Sequence, residues 1–102
     1  MAVTLQVQYP VGDGTTFDHA YYASTHMGLV GEYMGAHITN AQASKGLAGG
    51  PDTPAPFHAI ATITFADQEA MGAAMKASGP VMADIPNFTN VEPQILIGEI
   101  YG

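Results

Sequence analysis

Apolar residues recur along this chain in two different periods, and the switches between them mark out the elements. Val3, Leu5, Val7 and Tyr9 alternate with Thr4, Gln6 and Gln8, the period-two signature of a half-buried strand. Pro10 and the Gly12-Asp13-Gly14 turn stop it. Thr15 or Thr16 can cap the helix that follows, with Asp18 in its first turn. At ~100° per residue, His19, Tyr22, Ala23, His26, Leu29, Val30 and Tyr33 share one face, while Gly28 and Gly31 weaken the second half. Ala36 to Leu47 reads as a second strand of small and polar residues, and the Gly- and Pro-rich stretch from Gly46 to Pro56 is the segment expected to be mobile. Phe57 to Phe65 forms a third strand. Asp67 caps a second helix with Met71, Ala74 and Met75 on its inner side. Pro80 suits the first position of a short helix that Pro86 ends. Val91 to Tyr101 is the fourth strand, where Pro93 marks an edge or a bulge.

The order strand, helix, strand, strand, helix, strand predicts an α+β, ferredoxin-like βαββαβ fold, a four-stranded antiparallel sheet with both helices on one face. Its 102 residues suffice for one domain, 1–102, and one core. In the fourth strand Ile95 and Ile97 point one way and Leu96 and Ile100 the other. A sheet covered on one side shows water a polar second face. Two greasy faces therefore predict a partner, most simply a second copy of the sheet in a homodimer.

Composition narrows the function classes. Hydrophobic residues make up 47% and charged residues 11%, which suits a packed core with part of its surface covered. Net charge is −7, with two lysines and no arginine. Lys45 and Lys76 cannot neutralise a row of phosphates, so neither nucleic acid nor an anionic membrane is expected as a partner. Without a guanidinium fork, a neutral or weakly polar ligand is favoured. The absence of cysteine excludes disulfides, thiolate nucleophiles and cysteine-held metals. Met1 to Gln6 carries no basic, apolar leader and no run is long enough to span a bilayer, so a cytoplasmic location is expected.

His26 is the sharpest chemical candidate. It sits on the apolar helix face one turn after Tyr22, and a partly desolvated imidazole there can exchange a proton near neutral pH. It can be the general base that removes an acidic C–H or phenolic O–H proton, or a core histidine bonded to a carbonyl or tyrosine. Tyr22 can orient His26 or a substrate oxygen, or simply be core. Tyr33 reads the same way. Met27 and Leu29 are apolar candidates for lining a pocket, since methionines suit flat apolar ligands as well as irregular cores. His58 is out of phase with Phe57, Ala59, Ala61, Ile63 and Phe65, which makes it either a second polar pocket group or an interface residue. Asp18 and Asp84 read as structural. His19 and His26 lie about 10 Å apart along a helix, too far to share a metal, and no other histidine spacing fits one. No metal, nucleotide, nicotinamide or flavin site is expected.

The stretch Phe17-Asp18-His19-Ala20-Tyr21-Tyr22-Ala23-Ser24-Thr25-His26-Met27 resembles the helix signature of the EthD family, named from ethyl tert-butyl ether degradation. Lys45-Gly46-Leu47, Pro56 to Ala61, and Met82-Ala83-Asp84-Ile85-Pro86-Asn87-Phe88-Thr89 are similar to the family in the same order. Gly28 departs from it, standing where a proline is frequent, and leaves the end of the helix less held. The resemblance implies a dimeric α+β barrel in which two ferredoxin-like subunits pack sheet to sheet. Relatives of that class include lactone isomerases, cofactor-free monooxygenases and polyketide-modifying enzymes. Membership of the class does not fix a reaction; the first reading is a cofactor-free enzyme, with His26 as acid/base and Tyr22 orienting, acting by isomerisation, proton transfer or auxiliary oxidation on an apolar aromatic or lactone-like compound. The alternatives are a dimer that binds hydrophobic ligands without catalysis and an accessory subunit of an oxygenase.

Overall fold

The computed structural model describes residues 2–101; Met1 and Gly102, at the ends of the expected domain, lie outside it. Four strands, β1 (Val3–Pro10), β2 (Asn40–Lys45), β3 (Phe57–Phe65) and β4 (Gln94–Glu99), form an antiparallel sheet in the order β2-β3-β1-β4. This is the βαββαβ arrangement. The first helix, α1, spans residues 19–34 in three contiguous pieces: α-helical His19–Tyr21, π-helical Tyr22–His26 and α-helical Met27–Met34. Helix α2 (Gln68–Lys76) and the single turn α3 (Gly79–Ala83) complete the layer over one face.

Local chemistry explains the boundaries. Asp67 caps α2, its carboxylate accepting from the Ala70 N–H at 2.8 Å. Pro80 sits in the first turn of α3, where a missing N–H costs nothing. Pro93 lies just before β4, which is an edge strand. The second strand is shorter than the sequence predicts. Residues 35–37 continue α1 as a 3-10 turn, so pairing begins only at Asn40. The cap of α1 also differs. Asp18, not a threonine, accepts the Tyr21 N–H at 3.1 Å. Thr15 instead closes the preceding turn on Gly12. Gly46 is required where it stands, because a Cβ there would lie 2.0 Å from the Phe57 carbonyl oxygen.

Cross-strand register decides the faces. Leu5 pairs with Ile63 and Ile97, and Val7 with Ala61 and Ile95, so all of these point toward the helices. The second face carries Thr4, Gln6, Gln8, Thr62 and Thr64 together with Ile60 and Leu96. Ile100, just beyond β4, joins them, so this is a face of hydroxyls and amides on the inner strands with an apolar side along the fourth, as Leu96 and Ile100 predict. Beneath the helices the core has two parts. Val3, Leu5, Val30, Met34, Ile63, Phe65, Ala74 and Val81 form one; Tyr9, Tyr22, Ala59, Phe88 and Val91 form the other. In the second, Tyr9, Phe17, Tyr22 and Phe88 meet edge to face with centroids 5.0–5.7 Å apart.

Candidate functional site

Between the helices and the sheet lies a cavity of about 110 Å³. Its floor is Leu5, Val7, Tyr9, Ala61 and Ile63, its roof Tyr22, His26, Met27, Val30 and Met34 of α1. Ser78, Val81, Met82 and Ile85 close the side toward α3, and Met75, Ile95 and Ile97 stand at the mouth. The mouth is open because α1, α2 and α3 do not reach over β4, which leaves Ile95 49% and Ile97 57% exposed on the helix side of the sheet. Small Ala61 on the floor, facing large side chains above, leaves the space unfilled.

The π-helical turn decides which residues form the roof. The Met27 N–H donates to the Tyr22 carbonyl five residues back, inserting one extra residue into the turn. In an uninterrupted helix the inward stripe would run through Leu29 and Tyr33. Here the buried positions are Tyr22, His26, Val30 and Met34, a spacing of four. Tyr33 is consequently turned outward and 42% exposed, and Leu29 packs at the core's margin without lining the cavity. Of the residues singled out from sequence, His26, Tyr22 and Met27 are brought together. His58 is elsewhere: its Nε2 lies 2.9 Å from the Thr15 hydroxyl and its ring stacks on Phe17.

His26 is buried in the cavity wall, and its Nδ1 lies 3.0 Å from the Asp84 Oδ2. The other Asp84 oxygen accepts the Tyr21 hydroxyl at 2.6 Å and the Asn87 side-chain amide at 3.0 Å. The Tyr21 hydrogen bond, helped by Asn87 and His26, holds the Asp84 carboxyl below its ordinary range although burial opposes this. The same hydrogen bond pushes the Tyr21 phenol up. Asp84 is therefore a carboxylate, an acceptor only, and Nδ1 must carry the proton in the contact between them. In the neutral imidazole Nε2, for which no partner exists among the described residues, is then a free acceptor on a residue that lines the cavity. The Tyr22 ring lies nearly parallel to the imidazole, 16° off and 5.4 Å away, and Phe88 packs against both rings, 4.6 Å from the imidazole and 5.1 Å from Tyr22. Burial pushes the Tyr22 phenol up to about 12, and its hydroxyl is buried without a partner. No cluster of three metal-ligating side chains exists among the described residues.

Asp84 was not legible as a functional residue. Its 58-residue separation from His26 hides the pairing, which depends on the way segment 84–90 is fastened to the start of α1. Asp18 N–H donates to the Phe88 carbonyl at 2.8 Å, the Thr89 hydroxyl to the Thr16 carbonyl at 2.6 Å, and Thr16 N–H to the Asn90 side chain at 2.9 Å. The adjacent tyrosines of the Tyr21-Tyr22 pair point to different tasks, one to the carboxylate and one to the cavity. The only advance signal for the dyad was the motif Met82 to Thr89 itself.

This geometry can be set beside known proteins. A model of the EthD domain matches residues 15–92, which contain both His26 and Asp84. An EthD-like protein from Ralstonia eutropha JMP134 is 33% identical, with a TM-score of 0.90 over 99% of this chain and 93% of that one. An ethyl tert-butyl ether degradation (EthD) family protein from Bacillus halodurans C-125 has 21% identity and a TM-score of 0.70, over 99% and 100% of the two chains. SnoaB from Streptomyces nogalater, described as a cofactor-independent oxygenase, shares the fold at 10% identity and a TM-score of 0.61, over 98% and 95%. The search of curated proteins returned no match. A domain match over most of the length and a fold held in common at 33% identity lead to one conclusion: this chain belongs to the EthD family.

Proposed function

We propose that this protein is a cofactor-free enzyme in which His26 moves a proton to and from a small, largely apolar ligand held between the helices and the sheet. The observation that carries this reading is the Asp84–His26 contact at the wall of the cavity. A carboxylate that fixes the Nδ1 proton leaves Nε2 as a base and stabilises the imidazolium formed when it accepts a proton. Tyr22 orients the imidazole by stacking on it, and Phe88 packs against both rings. The lining offers no cation for an anionic ligand, which favours an aromatic or lactone-like compound without a formal charge. Isomerisation and enolisation need nothing beyond such a base. Oxidation would need dioxygen as the co-substrate once the ligand is deprotonated.

The working unit in this reading is a homodimer in the cytoplasm. The uncharged second face of the sheet, with Leu96 54% exposed and Ile60 beside the glutamines and threonines, suits a second copy better than it suits water. No helix among the described residues is long and apolar enough to cross a membrane. The test is deuterium exchange. In D2O, acidic C–H positions of single-ring ketones and lactones should exchange faster with the protein than in buffer, and His26→Ala should return the rate to that of buffer. Tight binding of these compounds without exchange would refute catalysis and leave a ligand-binding or accessory dimer. Light scattering at micromolar concentration checks the assembly, and a monomer would refute it.

A further inference from the structure

The hydrogen-bonding polarity of the cavity names its ligand more narrowly. The Asp84 oxygen that accepts from Tyr21 and Asn87 cannot exchange its role, because both neighbours are donors aimed at it. The second oxygen is thereby committed to His26 Nδ1, and the imidazole presents Nε2 to the cavity as an acceptor. Among the other lining residues, the Ser78 hydroxyl is already spent on the Met75 carbonyl at 2.7 Å, and the Tyr22 hydroxyl, without a partner, is fully buried rather than exposed to the open space. No lysine, arginine or carboxylate lines the space. A volume of about 110 Å³ is on the scale of an enclosed apolar cavity that holds one benzene ring. The mouth beyond it is edged by Met75, Met82, Ile95 and Ile97, soft and aliphatic surface on which an apolar substituent can lie.

We infer that the cavity takes a neutral, single-ring phenol whose hydroxyl donates to His26 Nε2, with any apolar substituent leading out over Ile95 and Ile97. The inference rests on the reading of this cavity as the ligand site, but not on catalysis there. A hydrocarbon fills the same volume and leaves Nε2 unpaired. A phenolate brings a buried charge with no cation to meet it and an acceptor facing an acceptor. A carbonyl oxygen at that position likewise sets its lone pairs against the nitrogen lone pair, so a carbonyl compound can offer Nε2 only a weaker C–H contact. The selectivity is therefore set by the tautomer, and the tautomer by Asp84.

The same geometry supplies the test. In Asp84→Asn, Tyr21 and Asn87 still require an acceptor, so the amide oxygen keeps that place and the amide nitrogen faces His26. An N–H donor there makes Nδ1 the acceptor and moves the ring proton to Nε2, which turns the cavity wall from acceptor to donor. Binding of p-cresol, toluene and benzaldehyde is measured by NMR titration of the wild-type protein and the variant, with the imidazole 15N shifts reporting the tautomer. The wild type is expected to bind p-cresol about tenfold more tightly than toluene, the scale of one buried hydrogen bond, and to prefer it to benzaldehyde. In Asp84→Asn the proton should appear on Nε2, and the preference should pass to benzaldehyde. Equal affinity of the wild type for p-cresol and toluene would overturn the inference even if the variant failed to fold. So would a tautomer change that leaves the phenol preference intact. Phenol selectivity that follows the tautomer, without deuterium exchange of the single-ring ketones and lactones, would uphold the inference and refute catalysis.

Discussion

Tyr22→Phe tests the physical reading of the roof most directly, because it deletes a single oxygen and keeps the ring. The hydroxyl is buried without a partner, and a buried polar group in that state costs about 1–3 kcal/mol. The ring contacts with Tyr9, Phe17, Phe88 and His26 survive the change. Tyr22→Phe should therefore stabilise the protein by about 1–2 kcal/mol at pH 7, which for a domain of this size raises Tm by roughly 4–15 °C. Alkaline pH gives an independent check with a fixed sign. The folded protein holds the Tyr22 proton up to about 12, whereas the unfolded chain releases it from about 10. The unfolded state thus carries fewer protons in that window, and wild-type stability contributed by this group is complete below pH 10 and lost as pH rises toward 12. Phenylalanine has no such loss. The advantage of the variant should widen by about 1 kcal/mol between pH 9 and pH 11. The difference between the two proteins removes the part of Tyr9 that is due to burial and keeps the smaller part due to Tyr22, since the Tyr9 phenol is pushed up first by burial and then by Tyr22. Urea unfolding at fixed protein concentration is the assay, since association would couple to stability. A destabilised variant at pH 7, or a gap that does not change with pH, would refute the picture of a hydroxyl buried and unsatisfied.

Two further outcomes follow from the hydrogen bonds. Asp84 has a depressed pKa, so its contribution to stability is present above the ordinary carboxyl value and is lost as pH falls through the folded value. The acid limb of a stability–pH curve should accordingly be shallower in Asp84→Asn than in the wild type, and parallel curves would contradict the Tyr21–Asp84 bond as its main cause. Asp67→Ala should cost about 1 kcal/mol through the lost cap of α2. The loss should show in urea unfolding with an unchanged m-value, and a change within about 0.3 kcal/mol would mean that the cap is replaced by another group or by water.

The alternation of Val3, Leu5, Val7 and Tyr9, the helix-breaking residues between periodic segments and the cap at Asp67 were enough to settle the order of elements and the fold. Periodicity is a local property, and most of this architecture is written locally. It also put His26 and Tyr22 on one apolar face, which the structure retains. Past Met27 the same argument failed. A π turn inserts one residue, and of the expected positions Leu29, Val30 and Tyr33 only Val30 stays fully buried, joined by Met34, which was not expected there. Hydrophobic spacing at that point is compatible with either phase, because Leu29, Val30, Tyr33 and Met34 are all apolar. The apolar second side of β4 was legible in Leu96 and Ile100, but the hydroxyls and amides of the strands beside it needed the register. Reading β4 alone shows two apolar sides, whereas register sets Leu96 against Gln6 and Ile97 against Leu5. The partnership of Asp84 with His26 belongs wholly to tertiary structure. The two are 58 residues apart, and only the docking of residues 84–90 on the start of α1 places a carboxylate against the imidazole and decides which nitrogen faces the cavity.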